Sequence, residues 1–394
     1  MTAAVDDFPV VGMVGGGQLA RMTQQAAIAL GVQLRVLANT PAESAARVVS
    51  DVRIGSHTDP VALKAFAQGC AVVTFDHEHV PQEYLLELVA GGIAVRPGPQ
   101  ALIHAQDKLA MRLALSGAGL PCPLWGSLSG DSDPQAARKV LTDFGEEAGW
   151  PIVLKVSRGG YDGRGVWIAE TLDEALRVVA HNPPPAGSGW LIEERVPFVQ
   201  ELAAQVARSP HGQAVAYPVV RSVQTNGICT EVVAPAPGLL PAVAIEASRI
   251  ALRVAAVIGV TGMLAVELFD TGDRLLINEL AMRPHNSGHW TIDGAVTSQF
   301  ENHLRAVLDL PLGSPAALAP FAVMVNVLGT GKSQLYSSYR HVLARDPWLK
   351  VHLYGKTPRP GRKLGHVTVM GNDVSDLLER AHHAADFISG AIDE

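Results

Sequence analysis

Short apolar runs alternate with amphipathic segments along the N-terminal part of the chain. The runs have strand length and the segments carry apolar residues at helical spacing, which predicts strands at 10–14, 33–37 and 71–75 and helices at 18–30 and 82–90. Strands that alternate with helices are typical of a parallel sheet built from βαβ units. Two prolines around a glycine, Arg96-Pro97-Gly98-Pro99, end the pattern. We therefore expect an α/β domain over residues 1–105.

Strand-like segments dominate the middle of the chain, and glycine-rich loops separate several of them. Their pattern favours mostly antiparallel sheet, with strands predicted at 152–156, 166–169, 190–194, 201–207 and 213–217. A helix at 242–259 precedes a hairpin of strands 264–269 and 274–280. After a linker at 313–320, strands are predicted at 321–328 and 364–370. We expect a second domain over 106–315 and a small C-terminal domain over 316–394, an α/β and α+β combination.

Composition and charge narrow the functional classes. The chain has 394 residues, of which 48% are hydrophobic and 18% charged, and this balance excludes intrinsic disorder for most of the length. The net charge is -7, and no basic block indicates nucleic-acid binding. We therefore expect any bound phosphate to belong to a small molecule.

Cysteine usage and hydropathy favour a cytoplasmic protein outside the membrane. Cys70, Cys122 and Cys229 lie far apart, without the spacing of a zinc site or an even disulfide framework. Asp6 and Asp7 stand where a signal peptide would be basic. The uncharged apolar run 254–266 is shorter than the roughly 20 residues that span a bilayer.

A glycine-rich turn follows the first predicted strand. The segment 15–20 fits G-x-G-x-x-A at the start of a helix, a context that suits phosphate binding. The second strand ends at Ala38-Asn39-Thr40, without the carboxylate that holds a dinucleotide ribose, so NAD is disfavoured. We expect a monophosphate ligand here; the alternative is that the glycines only permit a tight turn.

A lysine within an apolar strand, Lys155, is followed by a loop rich in glycine at 157–165. Burying the lysine is costly without an anionic partner, and the glycines let the loop fold closely over a ligand. The pair predicts a flexible phosphate lid, with a plain surface hairpin as the alternative. Glu193, Glu194 and Glu201 come next, as acceptors for adenine or ribose or as solvated surface carboxylates.

Glu267 and Glu279 each lie within an apolar strand of the predicted hairpin. A register that pairs Glu267 with Ile277 and Glu279 with Ala265 places both carboxylates on one face, two positions apart, where they can share a hard cation. Beside a phosphate lid, this arrangement suits Mg²⁺ held jointly by protein and nucleotide. A one-residue slip in the register separates the two side chains.

Two polar clusters complete the candidates. The segment 283–289 has a density of donors directly after Glu279 that favours an oxyanion or substrate pocket. Lys356 and the basic turn at 359–366 form either a phosphate clamp or a solvated loop. If residues 15–17 bind a phosphate, the clamp supplies its countercharge from the other end of the chain.

The ordered set of motifs resembles the ATP-grasp superfamily, and within it the family of 5-(carboxyamino)imidazole ribonucleotide synthases. The matching stretches run from one end of the chain to the other: GGGQLARM at 15–22, QDK at 106–108, GGYDGRG at 159–165, INELAMRPHNSGHWT at 277–291, SQFENHLRA at 298–306 and RPGRKLGH at 359–366. The combination of GGYDGRG, HNSGH and RPGRKLGH is specific to this family, whereas the glycine turn alone is not.

The resemblance implies a three-part fold and a reaction. The fold would have an N-terminal Rossmann-like (pre-ATP-grasp) domain, a central ATP-grasp region with a lid at about 117–196, and a small C-terminal domain. In the reaction, ATP phosphorylates bicarbonate, and the carboxyphosphate transfers its carboxyl group to the amine of 5-aminoimidazole ribonucleotide, a step of purine biosynthesis. The resemblance also implies a homodimer. Another ATP-grasp carboxylate-amine ligase is the alternative; a nucleotide-binding regulatory protein and a nicotinamide oxidoreductase are more distant rivals.

The resemblance also implies roles for individual residues of this sequence. Those expected around ATP are Lys108, Lys155, Gly160, Tyr161, Asp162, Gly163, Arg164, Gly165, Val166, Glu193, Glu194, Arg195, Val196, Glu201, Gln224, Asn278 and Glu279, with Mg²⁺ on Glu267 and Glu279. Those expected at the reacting groups are Tyr161, Asp162, Arg164, Arg283, His285 and Asn286. Those expected on the ribonucleotide are Gly16, Gly17, Gln18, Glu78, Ser287, Lys356, Arg362 and Lys363.

The chain departs from the family pattern at two places. Many relatives have the pattern Glu-Asn-x-His where this chain has Arg221-Ser222-Val223-Gln224, and Gln224 is its candidate for the nucleotide contact of that histidine. Where a common pattern has Glu-Phe-Glu-His, the chain has Asp76-His77-Glu78-His79, and only Glu78 is expected at the substrate.

Overall fold

A computed structural model describes residues 8–160, 163–225 and 227–393. The N-terminal domain is a parallel four-stranded sheet in the order β3-β2-β1-β4. Its elements are β1 (Val10–Val14), α1 (Gln18–Leu30), β2 (Gln33–Ala38), β3 (Asp51–Ile54), α2 (Pro60–Ala67), β4 (Val72–Phe75), α3 (Gln82–Ala90) and α4 (Pro99–Gln106). The predicted βαβ pattern is confirmed; α2 and the four-residue β3, of which two residues are charged, were not predicted.

The next unit is an antiparallel sheet in the order β5-β8-β6-β7, with two helices beside it. Its elements are α5 (Lys108–Gly117), β5 (Trp125–Ser129), α6 (Pro134–Ala148), β6 (Ile152–Val156), β7 (Val166–Ala169), α7 (Leu172–His181) and β8 (Gly189–Glu194). Trp190, Leu141 and Phe144 are buried in the core between the sheet and its helices. Lys155 on β6 and Glu193 on β8 are directly paired with neighbouring strands of this sheet, so both are held by a rigid element.

The remaining strands form one large sheet in the order β14-β13-β9-β11-β12-β15-β17-β16, with β10 also paired to β9. The elements are β9 (Gln200–Arg208), β10 (Ala214–Ala216), β11 (Val220–Thr225), β12 (Ile228–Ala234), α8 (Pro241–Val257), β13 (Gly262–Asp270), β14 (Leu275–Ala281), α9 (Thr291–Gly294), α10 (Gln299–Val307), β15 (Phe321–Leu328), α11 (Tyr339–Arg345), β16 (Lys350–Leu353), β17 (Lys363–Gly371) and α12 (Val374–Ser389). The strands after residue 316 do not build a sheet of their own. They continue the central sheet, because β15 pairs with β12 as well as with β17.

The predicted hairpin register is wrong by a local irregularity. Ala265 lies opposite Ala281 and Glu267 opposite Glu279, whereas Leu268 lies opposite Ile277. Asn278 is therefore an extra residue on β14, a β-bulge that shifts the pairing between the two halves of the hairpin. The two carboxylates consequently face each other across the hairpin rather than standing two positions apart.

Hydrogen bonds hold the N-terminal domain against the rest of the molecule. The buried His303 of α10 accepts at Nδ1 from the Met263 amide, so its Nε2 donates to Thr74 Oγ1 (2.8 Å). Arg96 donates to the Val307 carbonyl, and Ser44 donates to the Tyr354 carbonyl. These contacts join the N-terminal domain to α10 and to the segment between β16 and β17. Among the described residues, no helix is long and apolar enough to cross a membrane.

Candidate active site

A cavity of about 610 Å³ lies where three parts of the fold meet: the sheet β5-β8-β6-β7, which we call the lid sheet, the large central sheet, and the end of β4. It collects predicted residues from the whole length of the chain: Glu78, Lys108, Lys155, Gly160, Gly163, Val166, Glu193, Glu194, Arg195, Val196, Glu201, Gln224, Glu267, Asn278, Glu279, Arg283, His285, Asn286 and Lys363. We call this space the reaction cavity. Arg164, Gly165 and Ser287 are absent from its described lining, and Tyr161 and Asp162 lie outside the described residues.

The side chain of Lys155 lines the reaction cavity and is held in place by Glu193 and Asn278. Its Nζ lies 2.7 Å from Glu193 Oε2 and donates to Asn278 Oδ1 at 3.0 Å. The other oxygen of Glu193 accepts from Arg112 Nε at 2.5 Å, and Arg112 Nη2 donates to the Asn278 carbonyl at 2.7 Å. Burial alone would raise the pKa of Glu193, but Lys155 and Arg112 lower it to about 2. The carboxylate therefore stays charged and fixes the lysine ammonium.

The bulged residue Asn278 binds both of the cations that contact Glu193. Its side chain and its carbonyl contact two different cations, Lys155 and Arg112, which ties β14 to the lid sheet and to α5. One position later, Glu279 Oε1 accepts from Lys108 Nζ at 2.8 Å. Lys108 and Lys155 thus enter the cavity side by side from α5 and β6, as a phosphate-binding site requires.

Glu267 and Glu279 form a pair of acidic side chains at the wall of the reaction cavity, 25% and 43% exposed. Burial raises the pKa of Glu267 to about 8, and Glu279 and Glu201 add to the rise. For Glu279, burial is outweighed by Lys108, which holds the pKa below its ordinary value. The two carboxyl groups face each other across the hairpin, and among the described contacts Glu267 has no Lys or Arg bonded to it, whereas Glu279 has Lys108. Two such groups can supply oxygen ligands to a hard divalent cation. Among the described residues, no cluster of three or more His, Cys, Asp or Glu offers a complete metal cage. The pair therefore fits Mg²⁺ that takes its other ligands from a nucleotide and water.

The segment after β14 supplies a cation and a neutral imidazole. Arg283 Nε lies 2.6 Å from Glu78 Oε2, and the other oxygen of Glu78 accepts from the Met282 amide at 3.1 Å. Burial, helped by Arg283 and Lys363, lowers the pKa of His285 to about 3. Its Nδ1 accepts from the Ser287 amide, so the proton of the neutral ring is on Nε2, which lies 3.6 Å from Glu267 Oε1. His285 therefore presents an N–H donor to the cavity.

Ser287 has a different position from the one expected for a substrate contact. It is 1% exposed, its Oγ lies 2.8 Å from His285 Nδ1, and it accepts from Gln205 Nε2 at 2.7 Å. The hydroxyl therefore orients the imidazole from behind. Asn286 does line the cavity, and its Oδ1 accepts from Asn326 on β15.

The opposite end of the reaction cavity is apolar enough for a heterocyclic base. Val153, Val166 and Ile168 of the lid sheet face it, together with Phe198 and Phe269, whose rings stack at 4.8 Å. Glu194, Arg195, Val196 and Glu201 lie at this end, and burial raises the pKa of Glu201.

A second cavity of about 540 Å³ lies between the first glycine turn and the basic turn before β17. We call it the basic cavity. Gly16 and Gly17 line it with Lys356, Arg359 and Arg362, so the sequence-distant segments expected to share one ligand are together. Gln18 joins them, because its Oε1 accepts from Lys356 Nζ.

Two expectations about this second cavity need correction. The amides of Gly16 and Gly17 already donate to carboxylates of the chain itself, Glu43 (3.1 Å) and Asp76 (3.0 Å), and Asp76 also accepts from the Ala20 amide at the start of α1. These amides are not directed at an external phosphate. Lys363 lines the reaction cavity rather than the basic one, because successive side chains of an extended segment point in opposite directions and Arg362 takes the basic side.

Several residues of the two cavities were not found from the sequence. The carboxylates of Glu43 and Asp76 accept hydrogen bonds from the amides of the glycine turn, and neither was expected there. Arg359 lines the basic cavity but was noted only as part of a basic turn. Arg112, which lies behind the reaction cavity and orients Glu193, was not found either; the available signal was a charge on the otherwise apolar buried face of α5, among Met111 and Leu115.

Known proteins and protein families match this chain over nearly its whole length. Family models match in chain order: a ribonucleotide synthetase preATP-grasp domain at 9–106, an ATP-grasp domain at 115–300 and a phosphoribosylaminoimidazole carboxylase C-terminal domain at 322–380. The N5-carboxyaminoimidazole ribonucleotide synthase of Mycobacterium bovis is 54% identical over 394 residues, which cover 98% of this chain and 90% of the relative. The chain belongs to the N5-carboxyaminoimidazole ribonucleotide synthase family of ATP-grasp ligases. The ATP-grasp fold and the family expected from the motifs are thereby confirmed.

Solved structures of this synthase family superimpose on nearly the full chain. The enzyme from Thermus thermophilus is 36% identical with a TM-score of 0.84, and the match covers 98% of this chain and 99% of that one. The enzyme from Aspergillus clavatus, solved in complex with ADP and 5-aminoimidazole ribonucleotide, is 30% identical with a TM-score of 0.86 and the same coverage.

A further relative matches by sequence. The Corynebacterium ammoniagenes synthase is 45% identical over 99% of this chain and 94% of its own length.

Proposed function

We propose that the protein carries out the reaction of its family, the ATP-dependent carboxylation of 5-aminoimidazole ribonucleotide by bicarbonate in purine biosynthesis. The observation that carries the proposal is the pair of adjoining cavities. One has two lysines, a carboxylate pair and an apolar end, as ATP requires, and the other has the basic side chains that a ribonucleotide 5′-phosphate requires. A substrate with its phosphate in the basic cavity would reach the ATP phosphates with its heterocycle.

We place the nucleotide along the reaction cavity. Its base would lie against Val153, Val166 and Ile168 and beside the segment 193–196. Its ribose would lie near Glu201, and its phosphates against Lys108 and Lys155 beside Gly160 and Gly163. Glu267 and Glu279 would hold Mg²⁺, which when bound supplies the positive charge that neutralises the phosphates. Gln224 lines the same cavity and is the proposed replacement for the histidine of other relatives.

The proposed chemistry has two steps. A bicarbonate oxygen forms a bond to the γ-phosphorus, the bond from that phosphorus to the β-γ bridging oxygen breaks, and ADP leaves. The exocyclic amine of the ribonucleotide then bonds to the carbon of carboxyphosphate, the bond from carbon to the phosphate oxygen breaks, and phosphate leaves. The products are the carboxylated ribonucleotide, ADP and phosphate.

The described residues would act mainly by stabilising the negative charge of carboxyphosphate with hydrogen-bond donors. Arg283 is oriented by Glu78, and the Nε2–H of His285 is fixed by Ser287, so both are preorganised donors for the oxygens of carboxyphosphate. Because the His285 proton is on Nε2, the ring in this arrangement is a donor rather than a base. We therefore assign the proton lost by the amine to Asp162, with Tyr161 and Arg164 at the carboxyphosphate.

The family resemblance further supports a homodimer, and three free cysteines support a cytoplasmic location. Sedimentation velocity tests the first: a mass near twice the 41.6 kDa of the chain is expected, and a monomer at micromolar concentration would contradict it.

The reaction is tested by measuring ADP release with ATP, Mg²⁺, bicarbonate and 5-aminoimidazole ribonucleotide. Full release is expected only when both the ribonucleotide and bicarbonate are present, with radiolabelled carbon from bicarbonate appearing in an acid-labile product. Rapid ADP release with another carboxylate and amine, and none with this pair, would instead support a different ATP-grasp ligase.

A further inference from the structure

The reaction cavity and the basic cavity share one wall. Among the residues that the structure describes, His77 is the one that borders both. It follows β4 directly, between Asp76, which is bonded to the start of α1, and Glu78, which is bonded to Arg283. Both neighbours in the chain are thus anchored, and the backbone at His77 is held between a substrate-phosphate region and a reaction region.

We propose that His77 binds the ribose of the ribonucleotide substrate through its Nε2–H, and so sets the distance between the phosphate and the reacting amine. This inference rests on the proposed function, because it assumes a ligand that occupies both cavities. A ribonucleotide with its phosphate beside Lys356 and Arg362 and its heterocycle beside Arg283 has only its ribose at the shared wall. The ribose offers hydroxyl and ring oxygens, which are acceptors for an imidazole donor.

The orientation of the ring supports a donor at this wall. Nδ1 of His77 accepts from the His79 amide at 3.2 Å, so the neutral ring has its proton on Nε2. The ring packs edge-on against His57 with centroids 4.5 Å apart and stacks on His79 at 5.5 Å. Burial together with His57, His79 and Arg283 lowers the pKa of His77 to about 3, so the ring is neutral at physiological pH. An uncharged N–H donor suits a neutral acceptor such as a ribose hydroxyl, and it adds no positive charge to the phosphate site.

The test uses four ligands on the full-length enzyme: ATP, 5-aminoimidazole ribonucleotide, ribose 5-phosphate and inorganic phosphate, the last two as competitive inhibitors. In His77→Phe, which keeps an aromatic ring and removes the donor, we expect the KM for the ribonucleotide and the inhibition constant of ribose 5-phosphate to rise about tenfold together, as loss of a hydrogen bond predicts. The KM for ATP and the inhibition constant of phosphate should stay within about twofold. His77→Gln, whose amide nitrogen replaces Nε2, should recover most of the affinity.

His57→Phe is the matched control, because His57 belongs to the same ring cluster but borders neither cavity. An equal effect in this control, or an unchanged KM for the ribonucleotide in His77→Phe, would overturn the assignment. A parallel rise in the inhibition constant of inorganic phosphate would also overturn it, since the contact would then be to the phosphate. If His77→Phe does not fold, His77→Met against His77→Gln makes the same comparison without an aromatic ring. Absence of ribonucleotide-dependent ADP release in the unmodified enzyme would contradict the proposed function itself, before any variant is measured.

Discussion

The guanidinium of Arg112 is fully buried and donates to Glu193, which in turn contacts Lys155. The nucleotide site is therefore built on an ion pair with no access to water, and the lysine at its surface is oriented from within the core. A buried pair of this kind is sensitive to loss of one partner, because the remaining charge stays buried.

Arg112→Met is expected to destabilise the protein by about 3 to 5 kcal/mol, since it leaves Glu193 with Lys155 alone. Urea unfolding at pH 7 measures this change. Arg138→Met is the control, because Arg138 forms only an exposed ion pair with Asp173 at 4.0 Å, and pairs of that type contribute about 0 to 1 kcal/mol. Similar unfolding midpoints for the two variants would contradict the structural importance of the buried pair.

Glu279→Gln is expected to abolish turnover while the protein stays folded. A neutral amide cannot replace a carboxylate that holds a divalent cation beside a triphosphate, and excess Mg²⁺ should rescue the activity poorly. ADP release as a function of Mg²⁺ concentration tests this, with Glu147→Gln on α6 as the exposed control. Ordinary activity and ordinary Mg²⁺ dependence in Glu279→Gln would remove Glu279 from the metal site.

The two lysines near the basic turn should separate kinetically. Lys356→Ala is expected to raise the KM for the ribonucleotide at least tenfold and to leave the KM for ATP unchanged, because a charge-assisted contact contributes about 1.5 to 3 kcal/mol. Lys363→Ala should instead lower kcat, because Lys363 lines the reaction cavity. Steady-state kinetics with each substrate varied decides the matter; identical kinetic effects in both variants would mean that the cavities are not functionally distinct.

The contact between His382 and Glu231 should make stability depend on pH. The hydrogen bond that His382 donates to Glu231 raises the pKa of His382 above 6.5, and its stabilising contribution is full below pH 6.5 and lost as pH rises through the raised value. For Glu231, burial opposes a lower pKa, but His382 and Arg221 hold the pKa below 4.5, so its contribution is lost only in acid. We expect His382→Gln to lower the thermal midpoint more at pH 6 than at pH 9. Equal shifts at both pH values would exclude the ion pair as the cause.

Much of the architecture follows from local pattern, because βαβ alternation and strand alternation are visible in short windows. The residues of the reaction cavity were also predictable, since Lys155, Glu279 and His285 stand in motifs whose composition is unusual for their place. Long-range pairing was not predictable. The bulge at Asn278 moved Glu267 opposite Glu279, and Asp76 reached the amide of Gly17 from a segment far along the chain. Each of these depends on tertiary placement that no local window contains.

The pairing of β12 with β15 has a consequence for dissecting the molecule. Cutting the chain at residue 315 would leave β12 with a row of unpaired backbone donors and acceptors along one side, and such an edge readily pairs with other chains. The C-terminal segment therefore protects the ligase core from self-association, and a fragment without it should be aggregation-prone even though most of the reaction cavity lies upstream of the cut.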